Sequence, residues 1–428
     1  MIYLDHAATC PMRECSLEQM TEAMHKVYGN ASPSYPIAQE AKAKLDQARS
    51  VLADTIGADW KEIFFTSGGT EGDNWALTGA VEAGLPERRT GHIITTQVEH
   101  HAVLHTCAYL ESRGYTVSYL PVDEEGFVSG ESMRKELERH PDTVLVSVML
   151  ANNEVGTVEP VQELVRIVRN REEELRNGDG EGAEPGREFR RKPARRILFH
   201  TDAVQAYGKL SIDVKELDVD LLSVSAHKIG GPKGIGFLYI RKGTRIGSLI
   251  HGGAQESGRR AGTENVPAAI GFAAAAKEAA ADREKENATV RRLQLFFRDR
   301  LRKDVEEACG IRMLWNGPEP EETEEQTGIR RLPGNVSVSF PGFDQRTLLI
   351  NLDLAGICAS GGSACTTGAL DPSHVLMAMT KDLQRSAGTL RFSLGPENTR
   401  EEIETTLHVL TETMKRIQLC PRTSSEEL

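Results

Sequence analysis

The stretch Asp218-Val-Asp-Leu-Leu-Ser-Val-Ser-Ala-His-Lys-Ile-Gly-Gly-Pro-Lys-Gly-Ile-Gly236 decides the fold. An apolar run, Leu221 to Ser225, ends abruptly in Ala226-His227-Lys228, and a Gly/Pro-rich loop follows. Short apolar runs closed by polar or glycine residues read as buried strands. Working outward, the same design recurs in Glu62-Ile-Phe-Phe-Thr, His92-Ile-Ile-Thr-Thr, Thr116-Val-Ser-Tyr-Leu, Thr143-Val-Leu-Val-Ser-Val-Met-Leu and Arg196-Ile-Leu-Phe-His. Helix-period stretches such as Val103 to Arg113 and Val161 to Glu174 lie between them. Near-continuous apolar strands alternating with helices predict an α/β fold whose mostly parallel sheet is covered on both faces. Ligands of such sheets gather at the carboxyl ends of the strands.

The polar residues at those ends carry the candidate chemistry. A lysine at the mouth of a buried strand loses hydration, which lowers its pKa and readies the amine to attack a carbonyl; the plainer reading of Lys228 is a surface lysine in a turn. His200-Thr-Asp202-Ala-Val-Gln205 follows another apolar strand. Asp202 can pair with a protonated pyridine nitrogen and Gln205 can donate a hydrogen bond nearby, the arrangement that keeps pyridoxal phosphate (PLP) an electron sink. An Asp after a strand can equally be a helix N-cap. Ser67-Gly68-Gly69-Thr70 suits a phosphate at a helix N-terminus, or is a tight turn; with no Lys-Ser/Thr pair after it, it is not a Walker loop. His101 and His105 have i, i+4 spacing, but a third zinc ligand and the His-Glu-x-x-His order are missing. A flat imidazole from His100, stacked on a ring and exchanging protons, fits better with Lys228 and Asp202. Cys365 sits in a small, Gly/Ser-rich segment with the composition of a mobile loop, while Cys358 reads as a buried thiol. Arg391 lies inside an apolar strand, where a guanidinium calls for an anion: a substrate carboxylate or an internal one.

The chain has 428 residues, 39% apolar and 27% charged, as expected of a globular protein with two domains or one large α/β body. With 51 Lys+Arg against 63 Asp+Glu the formal charge is −12, so no direct nucleic-acid partner is expected. No run of 18 or more apolar residues appears, which predicts no membrane span. The N-terminus lacks the pattern of a secretory signal. The seven cysteines are scattered without a CxxC pair, predicting free thiols and a cytoplasmic setting. Residues 177–196, Gly-rich and acidic and then basic, read as a mobile surface insertion. The Ala-rich stretch after Pro267 predicts one or two long helices leading to a second domain, with a closing helix over 400–417.

Taken together these segments resemble the cysteine desulfurases of the NifS/IscS kind, class V aminotransferase-like enzymes of PLP fold-type I. The motifs that carry the resemblance are Thr66-Ser-Gly-Gly-Thr-Glu, Glu99-His100, Asn152-Asn153-Glu154-Val-Gly156, His200-Thr-Asp-Ala-Val-Gln205, Ser225-Ala-His-Lys228, Gly252-Gly-Ala-Gln-Glu256, Arg260-Ala-Gly-Thr-Glu-Asn265, and Ser363-Ala-Cys365 with Pro372-Ser-His-Val-Leu. They run in family order from Tyr3 to about Asn398. The resemblance implies a large domain, residues 14–262, with a mainly parallel seven-stranded sheet between helices. Residues 1–13 and 263–428 would form a smaller α+β domain carrying the cysteine loop at about 357–372.

It further implies L-cysteine as substrate, alanine as product and a persulfide on Cys365. That sulfur would pass to an iron–sulfur scaffold or another acceptor. Lys228 would hold PLP covalently and shuttle the α-proton, with Asp202 on the pyridine nitrogen, Gln205 and Asn153 near the ring oxygen, and His100 stacked on the ring. Gly69, Thr70, Ser225 and His227 would bind the phosphate, and Thr263 would reach it across a homodimer interface. Arg391 would clamp the substrate carboxylate, with Asn153 and Asn30 on the substrate side. No resident metal is implied, only transient contact of Cys365 with an iron–sulfur cluster. Selenocysteine lyase or another class V PLP reaction is the alternative. The chain departs from the family pattern at His6, in Leu4-Asp-His-Ala-Ala-Thr, and at Tyr35, where a histidine is usual.

Overall fold

Apolar runs of four and five residues, mostly buried on both faces except at the edge strand over Thr116–Leu120, build the central sheet, as sequence patterning predicts. The computed structural model describes residues 1–84, 91–178, 196–321, 329–362 and 372–419. Most of the 177–196 insertion, the end of the C-terminal tail and Cys365 lie outside the described residues. In chain order the strands are β1 (Ile2–Tyr3), β2 (Ile63–Thr66), β3 (His92–Thr96), β4 (Thr116–Leu120), β5 (Thr143–Ser147), β6 (Leu198–Asp202), β7 (Leu221–Ser225), β8 (Gly236–Ile240), β9 (Leu314–Trp315), β10 (Asn335–Ser339), β11 (Ile357–Cys358) and β12 (Thr389–Ser393).

Seven of them form one sheet in the order β2-β8-β7-β6-β5-β3-β4. Strands β3 to β7 pair in parallel, while β8 runs antiparallel to both β7 and β2. Successive side chains feed opposite layers, the period-2 consequence of pleating. Leu222, Val224, Phe237 and Tyr239 enter one apolar cluster, and Leu221, Leu238 and Ile240 enter the other. Helices cover both faces, so backbone and side chains alike are shielded from water.

The Ala-rich segment is one helix, Val266–Leu301, started by Asn265, whose Oδ1 accepts from the Ala268 N–H at 3.2 Å. Small residues let it pack closely against the helix Glu14–Lys26. A Cβ on Gly271 would come within 3.1 Å of Ser16 O, whose own hydroxyl donates to Gly271 O. Residues Val266 to Ala279 belong to the sheet-side core. Val290 to Leu301 pack instead with Phe340, Phe392, Leu407 and Leu410. This second core covers the antiparallel sheet β12-β10-β9 and the short parallel pair β1-β11. The closing helix runs Arg400–Leu419. The chain's two ends therefore meet, because β1 pairs with β11 and Asp5 bridges to Ser393.

Among the described residues no helix is long and apolar enough to cross a membrane. Cys10, Cys15, Cys107, Cys309 and Cys358 are unbridged thiols. Cys358 is only partly buried, because the two-residue β11 is too short to enclose it.

Candidate active site

The ends of β6 and β7 open into a cavity of about 400 Å³. Ten of the residues singled out in the sequence line it: Gly69, Thr70, His100, Asn153, Asp202, Gln205, Ser225, His227, Lys228 and Arg391. Asp202 is the last residue of β6 and Ser225 the last of β7. A short helical turn, Ala226–Ile229, swings Lys228 over the sheet end and closes at Gly230 with φ 78°. Only glycine fits there, since a Cβ would lie 2.7 Å from Arg13 Cγ and 3.0 Å from Pro11 O.

The Lys228 Nζ donates to Ala7 O at 2.5 Å and to Ala8 O at 2.8 Å. Asp202 is almost wholly buried and accepts from the Val204 N–H at 2.8 Å. Burial pushes its carboxyl up to about 6, opposed by the Val204 hydrogen bond and the Lys228 charge. The N-cap alternative for Asp202 does not hold, since a turn and not a helix follows β6. Gln205 donates from Nε2 to Ala7 O at 3.0 Å, and its buried Oε1 has no hydrogen-bond partner among the described residues. His100 caps the helix His101–Ser112, its Nδ1 accepting from the Ala102 N–H at 3.1 Å. Burial, with help from Lys228, holds it at about 4, so the ring is neutral. The ring proton is therefore assigned to Nε2 by the bond Nδ1 accepts. His227 is also held at about 4, mainly by burial, with Nδ1 3.1 Å from Thr9 Oγ1.

Gly69 and Thr70 open the sixteen-residue helix Gly69–Gly84, whose first N–H groups have no helical acceptor. A Cβ on Gly69 would lie 2.6 Å from Val204 Cγ2, so glycine keeps this rim of the cavity open. Arg391, on β12, is 1% exposed. Its Nη1 donates to Asn153 O at 2.9 Å and its Nη2 to Asp5 Oδ1 at 2.8 Å, leaving Nε without a partner among the described residues. The internal carboxylate weighed for Arg391 is thus present, and it is Asp5.

These residues fit PLP. A helix N-terminus with Ser225 and His227 suits a dianionic phosphate. The buried Asp202 carboxyl stays at about 6 even against the Lys228 charge, and a pyridinium facing it would bring it down further. The unpartnered Gln205 Oε1 is a further polar atom awaiting a ligand.

Two candidates lie elsewhere. Thr263 and Asn30 are exposed and do not line the cavity of this chain. Cys365 falls outside the described residues, although both flanks of its segment meet Glu154. Ser373 Oγ donates to Glu154 Oε2 at 2.5 Å, and a Cβ on Gly362 would lie 2.9 Å from that oxygen. Burial raises Glu154 to about 7. His101 lies with its ring centroid 5.0 Å from that of His105 and 4.6 Å from that of His374. Among the described residues the metal-capable trio is instead His92, Glu136 and His140, none of which lines this cavity.

Sequence reasoning missed several lining groups. Asp73 is 1% exposed, and burial together with Asp202 raises it well above the usual carboxylate range. Its signal was an acid three residues after Thr70, on the same helix face. The carbonyls of Ala7 and Ala8 carried no signal, since backbone groups look alike in any sequence.

The chain matches the family described as aminotransferase class-V over residues 2–180 and 182–406. It is 42% identical to the cysteine desulfurase IscS of Methanosarcina thermophila over 99% of this chain and 95% of that protein. A solved NifS-like protein aligns with a TM-score of 0.82 and 36% identity, covering 97% of this chain and 99% of its own. The structure of SspA in complex with cysteine aligns at a TM-score of 0.73 and 30% identity, covering 93% of this chain and 100% of that one.

Proposed function

The chain belongs to the class-V aminotransferase family as a PLP-dependent cysteine desulfurase, and from that premise we propose how its own residues divide the work. The reading rests on one observation: a single cavity joins the Lys228 amine, the buried Asp202 carboxyl and the Arg391 guanidinium. The named relatives favour this activity over selenocysteine lyase.

When bound, PLP supplies an electron-withdrawing ring that makes the substrate's Cα–H acidic and its Cβ–S bond breakable. Lys228 Nζ would hold the coenzyme and could then carry the α-proton. Asp202 would stabilise a protonated ring nitrogen. Gly69, Thr70, Ser225 and His227 would hold the phosphate, helped by Thr263 of the partner subunit in a homodimer. Gln205 and Asn153 would serve the ring oxygen. His100 would stack on the ring and could offer the proton on Nε2. Arg391, beside Asn153, would receive the L-cysteine carboxylate. The Cys365 thiolate attacks the substrate sulfur, the Cβ–S pair of electrons stays with carbon, and protonation there yields L-alanine and a Cys365 persulfide. An iron–sulfur scaffold protein or another acceptor in the cytoplasm takes the sulfur.

Residues 14–262 form the coenzyme-holding part in this reading. Residues 1–13 and 263–428 form the part that brings Cys365 to it. Mass spectrometry after brief exposure to L-cysteine tests the assignment. We expect added sulfur on Cys365 alone and none in Cys365→Ser, which keeps its coenzyme. Sulfur on another cysteine, or full turnover by the Ser variant, would refute it.

A further inference from the structure

Arg391 is 1% exposed, and one of its donors is held from near the opposite end of the chain. Asp5 and Arg391 are 386 residues apart, yet Oδ1 and Nη2 lie 2.8 Å from each other, with side chains 19% and 1% exposed. Asp5 itself has little freedom. Its carbonyl accepts from Tyr3 Oη at 3.1 Å and from the Ala8 N–H at 3.0 Å. The next two residues are stitched to the strand of Arg391: the His6 N–H donates to Ser393 O at 3.2 Å, and the Ala7 N–H to Ser393 Oγ at 2.8 Å. The carboxylate is therefore presented from a turn that is rigid relative to β12.

A guanidinium recognises a carboxylate through two parallel N–H groups of one planar edge, so its value depends on how that plane is turned. In this cavity Asn153 O and Asp5 Oδ1 occupy one donor each of Nη1 and Nη2, and Nε has no hydrogen-bond partner among the described residues. Two fixed acceptors define the plane and leave the remaining edge for a ligand. We propose that Asp5 is a positioning residue that turns Arg391 toward the substrate's α-carboxylate. It also offsets the arginine's charge, so that recognition follows the geometry of the donors more than net attraction. The proposal rests on the reading of Arg391 as the carboxylate clamp.

The test titrates the holoenzyme with L-alanine, which carries the carboxylate, and with ethylamine, which lacks it. Both titrations follow the visible absorbance of the bound coenzyme, alongside KM and kcat for L-cysteine. Asp5→Ala should weaken L-alanine binding and raise KM about tenfold, leaving the ethylamine titration unchanged. Asp5→Glu keeps the charge but displaces the oxygens, and should be impaired about as much as Ala. Asp5→Asn keeps an acceptor in place without the charge and should stay within about threefold of the parent. If Asp5→Ala fails to fold, the order of Asn above Glu still decides. Wild-type or tighter L-alanine binding in Asp5→Ala and Asp5→Glu, with Arg391→Ala weakened, would overturn the proposal and spare the clamp. Unchanged L-alanine binding in Arg391→Ala would overturn both.

Discussion

Replacing Glu256 by Gln should cost stability and coenzyme together, although Glu256 does not line the active-site cavity. Its Oε2 and Oε1 each lie 2.7 Å from an Arg49 Nη atom, with side chains only 2% and 10% exposed. Oε2 also accepts from the Phe65 N–H at 2.9 Å, and Arg49 Nη1 donates to Ile63 O at 2.5 Å. The pair thus anchors β2, whose last residue, Thr66, leads directly into the glycine turn of the phosphate site. It also holds Glu256 and Ser257 in left-handed backbone, φ 46° and 58°, a conformation that costs about 1 kcal/mol or more per residue. Removing one partner of a buried pair costs about 3–5 kcal/mol, because the other charge is left desolvated. Gln keeps one acceptor, so the lower end, about 3 kcal/mol, is expected. Urea unfolding followed by circular dichroism measures this, and dialysis of the holoenzyme measures coenzyme retention, which should fall. Glu256→Leu combined with Arg49→Met should cost less than Glu256→Gln alone, since the penalty belongs to the stranded charge. A single variant within about 0.5 kcal/mol of the parent, or a double variant worse than it, would refute the reasoning.

Lys228→Ala should abolish the visible absorbance of covalently held coenzyme, and an unchanged band would remove Lys228 from its role. Gly69→Ala should weaken coenzyme binding about tenfold, because the added Cβ meets Val204 Cγ2 at 2.6 Å on the phosphate rim; titration of the apoprotein with PLP reads it, and equal affinity would disprove the cradle. Burial raises Glu159 to about 8, so its folded form holds a proton that the unfolded chain releases near the ordinary 4.5. Its contribution to stability is complete below about 4.5 and is lost as pH rises through about 8. Glu159→Gln, shaped like the protonated form, should flatten that decline in urea midpoints taken across the range, and an identical slope would contradict it.

Much of the fold was legible because strands buried on both faces leave an apolar signature that local sequence must carry. Leu221 to Ser225 became a strand as read, the run Thr143 to Leu150 gave a strand only over Thr143–Ser147, and the polar residues closing β6 and β7 became cavity walls. The Ala-rich run left one helix or two open. Packing decided for one, by giving its two halves different cores to join. The choice for Asp202 between helix cap and site was likewise unreadable locally, because both need the same residue after a strand.

From the order of residues alone came the alternation of strand and helix, the chemical kind of each group at the strand ends, and the match to a family that handles sulfur with PLP. These depend on neighbours a few positions apart, where backbone geometry repeats with a known period. Tertiary structure alone decided that Asp5 faces Arg391, that the carbonyls of Ala7 and Ala8 receive the Lys228 amine, and that Asp73 lies buried on the cavity wall near Asp202. Those contacts join residues that are hundreds of positions apart, or depend on backbone oxygens common to every residue. Only the closing of two cores around the chain's meeting ends brings them together.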